Sequence, residues 1–214
     1  RAWETRYQGL LRETVQALLS TLLAKDATTS QHSQRVAGFA LLIGRALNLN
    51  HEQLMDLELG AMLHDIGKIG IPDCILLKPG PLTTQEYEVM KKHPVISADI
   101  LSKITSLQRI IPIVRHHQER MDGHGYPDGL CGDNIPMLAR VTFIADAFDA
   151  MISDRPYRKA KSDQEALAEL KRCAGSQFDA TYVDIFLNAY PNGRQAAMTS
   201  EFFPSHKKSN TLGK

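Results

Sequence analysis

The sequence predicts an all-α protein, and three observations carry that prediction. Apolar residues recur at steps of three and four along most of the chain, the spacing of one helix face. Clusters of Ser, Thr, Asp and Asn precede several of these stripes, where the unpaired amides of a helix N-terminus need side-chain acceptors. No stretch of alternating apolar and polar residues is long enough to compete as a strand, so helices alone must build the layers.

The first stripe, Leu11, Val15, Leu18 and Leu22, predicts a helix within residues 1–27, which reads as a linker from an upstream domain. Cap formers from Asp26 to Ser30 introduce a second helix with Val36, Phe39, Ile43 and Leu47 inward, reaching Asn48; His32 begins that stripe. A third helix starts near His51, turns Met55, Leu59, Met62 and Ile66 inward, and is expected to end on Gly67 as a left-handed terminator, with His64 and Asp65 in its last turn. Pro72, Pro79, Gly80 and Pro81 make residues 70–81 a loop with at most one short extended stretch. Thr83 and Thr84 precede a helix through about Lys92, Pro94 bends the chain after His93, and residues 110–118 form another helix. Residues 122–129 hold Gly123, Gly125, Pro127 and Gly129 between turn-forming aspartates and specify a tight loop. Val141, Ile144, Phe148 and Met151 mark a helix over about 138–153, and helices at about 163–173 and 179–190 follow. Residues 28–190 therefore read as one catalytic domain and 191–214 as a polar, loosely held tail.

With 43% hydrophobic and 23% charged residues among 214, the chain has the composition of a globular protein, which excludes disorder as its dominant state. Its 25 basic and 24 acidic side chains leave a formal charge of +1, too little to coat a nucleic acid polymer, so any phosphate chemistry must be local. Cys74, Cys131 and Cys173 form neither a disulfide framework nor a CxxC site, which suits a reducing, cytoplasmic location. Apolar runs such as Leu41-Leu42-Ile43 are broken by Gly44 and Arg45, so no membrane contact is expected. Arg1 in place of Met reads as the start of a fragment.

The chemistry gathers in the middle. His64-Asp65 offers an imidazole nitrogen and a carboxylate oxygen at a helix end. His32 faces inward, His93 sits at a chain bend, His116-His117 end an apolar helix, and Asp146 and Asp149 share a helix face. Burying so many titratable groups uncompensated costs on the order of several kcal/mol each, and a shared dication removes that penalty, so metal ligation is the economical reading.

The strings His64-Asp65-Ile66-Gly67-Lys68, Lys78-Pro79-Gly80, His93-Pro94 and His117 through Asp122-Gly123-His124-Gly125-Tyr126-Pro127 resemble the HD-GYP family of the HD phosphohydrolase superfamily. The likeness continues through Ile144-Ala145-Asp146-Ala147-Phe148-Asp149-Ala150-Met151 and Asp154-Arg155-Pro156-Tyr157-Arg158 and covers roughly residues 28–186. It implies an HD-superfamily helical bundle with an N-terminal linker helix and a phosphodiesterase acting on a cyclic dinucleotide second messenger, chiefly cyclic di-GMP; cyclic GMP-AMP differs at one base edge and is equally compatible. By resemblance the metal ligands are His32, His64, Asp65, His93, His117 and Asp146, with Asp65 bridging, because a carboxylate has two oxygens to share. The same resemblance makes His64, Asp65 and Lys68 catalytic and gives Lys68, Tyr126, Arg155 and Arg158 to the substrate, with attack by a metal-bridging hydroxide. Imidazole and carboxylate ligands favour two divalent iron or manganese ions, although affinity order alone leaves nickel, cobalt and zinc open. The implied partners are the dinucleotide, an upstream sensory or receiver domain, and a diguanylate cyclase docking through the Gly-Tyr-Pro loop.

Two departures from the family pattern matter. Thr28 stands where members with a third metal carry glutamate, which favours two ions, and Gln118 replaces the second of two consecutive histidines, with only a carbonyl oxygen to offer. His116 is out of phase and expected to point outward; His51, His124 and His206 are expected at the surface. Two alternatives remain: a catalytically silent HD-GYP domain that signals by binding a dinucleotide or partner, and an HD mononucleotide hydrolase or helical di-iron oxidase, which would not need the Gly-Tyr-Pro loop.

Overall fold

Helix start signals are honoured by side chains that cap the amides they precede. Asn50, Thr83 and Ser162 each accept from the backbone three residues on, while Gln53, Glu86 and Glu165 reach back to the cap's own amide. In the structure, a computed structural model describing residues 2–25, 29–154 and 159–197, ten α-helices and three 3₁₀ turns follow, and no strand forms among the described residues. The helices are α1 (Ala2–Lys25), α2 (Thr29–Ala46), α3 (His51–Leu63), α4 (Asp73–Leu76), α5 (Thr84–Met90), α6 (His93–Leu101), α7 (Ile111–His116), α8 (Met137–Ile152), α9 (Asp163–Arg172) and α10 (Ala180–Ala197). The all-α expectation holds.

Two apolar clusters share α3. Leu57, Ala61 and Met62 face the larger one, built from α2, α8, α9 and α10, where Phe39, Phe148, Phe186 and Tyr190 pack mostly edge to face with Phe148 at the centre. Leu59 and Leu63 face the smaller one, made with Leu11, Val15 and Leu22 of α1, Ala98 and Leu101 of α6, and Ile113 and Val114 of α7. An α3 wedged between two cores holds its last residues rigidly, and His64 and Asp65 come next. The helix expected as a linker thus buries one face in the body. Lys25 at its end also donates to the carbonyls of Ile69 and Ile71, both at 2.7 Å.

Several local expectations are corrected. Gly67 is not a left-handed terminator: α3 stops at Leu63, and Gly67 lies inside a 3₁₀ turn, Ile66–Gly70, at ordinary φ. Glycine is required there because a Cβ would collide with the His93 carbonyl and with Ser97. A left-handed residue does close α2, namely Asn48 at φ 54°. The 70–81 segment contains a one-turn helix, α4, with Asp73 in its first turn, instead of an extended stretch. Pro94 opens α6 from its first turn, where its missing N–H costs nothing. The last helix runs through Pro191 to Ala197, beyond the expected end at 190. Packing on both sides of the proline, Tyr190 in the aromatic cluster and Gly193 against Leu42, offsets the lost hydrogen bond.

Candidate metal centre

A histidine just past a helix's last hydrogen-bonded turn can return its Nδ1–H to a carbonyl the helix leaves unpaired. Three imidazoles here do so: His64 to Ala61 at the end of α3 (2.6 Å), His93 to Met90 at the end of α5 (2.9 Å) and His117 to Val114 at the end of α7 (2.8 Å). A carbonyl can only accept, so each ring carries its proton on Nδ1 and presents the Nε2 lone pair to the common centre. His32 comes from within α2, and its Nδ1 meets Asp149 Oδ2 at 2.7 Å.

The six expected ligands are brought together. Asp65 Oδ2 lies 3.3 Å from His64 Nε2 and 3.9 Å from His32 Nε2, while its Oδ1 lies 3.3 Å from His93 Nε2. Asp146 Oδ1 is 3.3 Å from His32 Nε2 and 3.9 Å from His64 Nε2, and the Nε2 atoms of His93 and His117 stand 3.3 Å apart. Two overlapping donor groups result, His32–His64–Asp146 and His64–Asp65–His117, with donor atoms mutually within 4.8 Å.

Electrostatics fit a cation. Burial pushes His93 down to about 4, and burial together with His64 and His93 pushes His117 down to about 3, so both rings are neutral near pH 7. Two neutral rings with Nδ1–H committed elsewhere aim lone pairs at each other across 3.3 Å, which is repulsive until a positive charge lies between them. Burial opposes ionisation of Asp65 and Asp146, but Lys68 and His64 hold the first carboxyl low, and His32 and His64 the second. Burial likewise opposes charging His32, yet Asp146 and Asp149 outweigh it and raise the ring to about 9. His64 Nε2 is buried with no hydrogen-bond partner. The donor set therefore fits hard or borderline divalent ions and contains no thiolate.

Around this set, Ser97 Oγ accepts from Gly67 N (2.8 Å) and donates to His64 O (3.0 Å), and the Lys68 ammonium meets Asp65 Oδ2 at 2.5 Å. Gln118 departs from expectation: it turns its amide nitrogen, not its carbonyl, to Asp146 Oδ2 at 3.2 Å. The Gly-Tyr-Pro loop is held by buried Glu119, which accepts from Asp128 N (2.7 Å) and Leu130 N (3.1 Å), and by the two-bond pairs Arg120–Asp122 and Arg115–Asp128. Gly125 presses on the backbone of residues 118–120, where no Cβ fits, and sets Tyr126 edge-on to His93 (ring centroids 6.3 Å) and to Tyr87 (6.4 Å). His116 avoids the centre as expected but is not outward: the loop folds back over it, leaving Nδ1 3.5 Å from Asp128 Oδ2. His124 is at the surface. Thr28, Arg155, Arg158 and His206 lie outside the described residues. Sequence reasoning missed Lys25, Arg35, Tyr87 and Glu119; only Glu119 left a signal, because the tight loop after it needs a buried acceptor for its amides.

The profile of the HD domain family matches residues 17–182. The cyclic di-GMP phosphodiesterase response regulator of Xanthomonas campestris pv. campestris is 45% identical over 181 residues, 82% of this chain and 47% of that protein. A cyclic di-GMP phosphodiesterase of Thermotoga maritima is 40% identical over 185 residues (86% and 50%), and the 3'3'-cGAMP-specific phosphodiesterase 2 of Vibrio cholerae 35% over 180 (82% and 34%). The chain thus spans about half the length, or less, of these relatives. Among solved structures, a cyclic GMP-AMP-specific phosphodiesterase of V. cholerae superposes with TM-score 0.69 at 20% identity, over 89% of this chain and 51% of that one. An HDG"Y"P protein of Bdellovibrio bacteriovorus gives 0.63 at 22%, over 85% and 61%; at such identities the likeness concerns the fold. Matched over most of its length and carrying the His64-Asp65 pair and the Gly-Tyr-Pro loop at one centre, the chain belongs to the HD domain family, with the motifs of its HD-GYP members.

Proposed function

We propose that this chain hydrolyses a phosphodiester bond of a cyclic dinucleotide, cyclic di-GMP first and 3'3'-cyclic GMP-AMP second, at a centre of two divalent ions. The observation that carries the reading is the convergence of four imidazole Nε2 atoms and two ionised carboxylates from His32, His64, Asp65, His93, His117 and Asp146. Two overlapping donor groups support two ions, and Thr28 in place of a third carboxylate supports no more. Iron or manganese suits the mixed nitrogen and oxygen set. When bound, such ions supply an activated water and draw charge from a phosphoryl oxygen.

The protein's own residues do the rest. Asp65 turns one oxygen to each side of the centre, as a shared ligand must. Lys68 holds an ammonium at that carboxylate's edge, within reach of a non-bridging phosphate oxygen. Tyr126 lies beside His93 and half-exposed Tyr87 beside Tyr126, where a base can stack, and Arg155 and Arg158 are assigned to the second phosphate and the guanine edges. The relatives named as phosphodiesterases for cyclic di-GMP and for cGAMP support the substrate class. The response-regulator relative supports an upstream receiver or sensory domain, and the loop rim at His124 is the candidate face for a diguanylate cyclase. Retention of all six donors weighs against a silent binding module.

The test is product analysis by chromatography after incubating manganese- or iron-loaded protein with cyclic di-GMP, 3'3'-cyclic GMP-AMP and cyclic di-AMP. Linear or mononucleotide products from the first two are expected. Metal-loaded protein that leaves all three intact overturns the reading.

A further inference from the structure

A second cluster of charged groups, outside the six donors, joins α2 to α8. Arg35 Nε donates to Asp149 Oδ1 at 2.5 Å, and its Nη2 donates to Asp149 Oδ2 and Ser153 Oγ, each at 3.0 Å. Ser153 Oγ adds a longer bond to Asp149 Oδ2 at 3.3 Å, and that same oxygen receives His32 Nδ1 at 2.7 Å. The Asp149 side chain is fully buried.

We propose that Arg35 is a positioning residue for the metal centre: its guanidinium fork locks Asp149, and Asp149 in turn fixes the ring of His32 and the nitrogen that His32 offers. The other three imidazoles are oriented by backbone carbonyls at helix ends. His32 lies inside α2, where carbonyls are engaged in helical bonds, so it needs an acceptor from another helix. A carboxylate gripped on both oxygens by a guanidinium is an acceptor only, which obliges His32 Nδ1 to donate and leaves Nε2 to the centre, 3.3 Å from Asp146. Without Arg35, a buried carboxylate would lose its cation and its reason to hold one rotamer. Such outer partners of ligating histidines typically contribute about 10- to 100-fold in metal affinity. A lysine, with one point charge, cannot grip both oxygens.

This inference rests on the metal reading of the centre and not on the substrate. Its test is Mn²⁺ titration of metal-free wild type, Arg35→Met, Arg35→Lys and Asp149→Asn, with circular dichroism on each, and ¹⁵N–¹H spectra of the Zn²⁺-loaded, histidine-labelled proteins. Arg35→Met and Asp149→Asn are expected to weaken Mn²⁺ binding about 10- to 100-fold at unchanged helix content, with Arg35→Lys in between. The His32 signal should carry a proton on Nδ1 in wild type and lose that pattern in Asp149→Asn, whose amide can donate. Should the two drastic variants fail to fold, Arg35→Lys decides alone. Wild-type affinity and an unchanged His32 pattern in the folded Arg35 variants overturn the proposal, even if their melting temperatures fall. A wild type that binds neither Mn²⁺ nor Zn²⁺ overturns the metal reading as well, so the two failures are distinguishable.

Discussion

Asp65 divides its oxygens between His93 on one side and His64 on the other, so removing it takes a proposed ligand from both halves of the centre at once. Asp65→Ala is expected to lower turnover by more than about 100-fold, the upper figure for loss of a mere supporting partner, and to reduce bound metal per chain by elemental analysis. Full metal content with wild-type turnover would deny Asp65 that role. Arg158 is the contrasting case, assigned to substrate alone. Arg158→Ala should lower kcat/KM by about 1.5–3 kcal/mol, the range of a hydrogen bond to a charged group, with metal content unchanged. Unchanged kinetics would place it on the surface, and lost metal would place it in the ligand shell.

Gly67 shows how a turn can be specified by its neighbour. The 3₁₀ turn after α3 approaches the start of α6 so closely that Gly67→Ala must push on the His93 carbonyl and Ser97. That variant is expected to lose about 1–3 kcal/mol of stability in denaturant titrations, the range for overpacking, and to bind metal more weakly because His93 moves with α6. The Gly-Tyr-Pro loop has a different device. Arg115 holds the Asp128 carboxyl, and Arg120 the Asp122 carboxyl, below the usual carboxylate range. A depressed carboxyl pKa stabilises the folded loop above the unfolded value of about 3.9, and that contribution disappears as pH falls through the lower folded value. The loop should therefore resist proteolysis down to pH 4 and loosen only below it, whereas Asp128→Asn should be cut faster already at pH 7. Equal cleavage of the two proteins at pH 7 would count against the clamp.

At the scale of the molecule, α3 belongs to both apolar clusters, so neither can melt without disturbing the other. Phe148→Ala in the larger cluster should cost about 3–5 kcal/mol and Leu101→Ala in the smaller about 2–5 kcal/mol, each within one cooperative transition followed by circular dichroism and by near-ultraviolet absorption. Separate transitions would mean two independent units. Because the proposed ligands come from α2, α6, α8 and the segments just after α3 and α7, metal bound only by the folded chain should stabilise it by about 2.7 kcal/mol at a hundredfold excess over Kd, so a chelator should lower the melting temperature. No described helix is long and apolar enough to cross a membrane.

The helical class, most helix positions and the six candidate donors that converge were legible in the sequence, because helix periodicity and caps are local and the motif strings keep these donors in recognisable neighbourhoods. His64-Asp65 and Asp146 could be singled out before any packing was known. What the ligands face could not be read: the repulsive approach of His93 and His117 Nε2 and the split of the Asp65 oxygens depend on how helices distant in sequence dock. The same holds for the Arg35–Asp149–His32 chain, the amide turned by Gln118 to Asp146, and the seat of α1 in the smaller core. Gly67 was recognised as special, but for a turn conformation when the cause was a close approach by residues 26 and 30 positions later. Sequence by itself determined which groups were available and on which helix faces; tertiary packing decided which lone pairs met, because a hydrogen bond or metal ligand depends on distance and direction between elements that local periodicity does not encode.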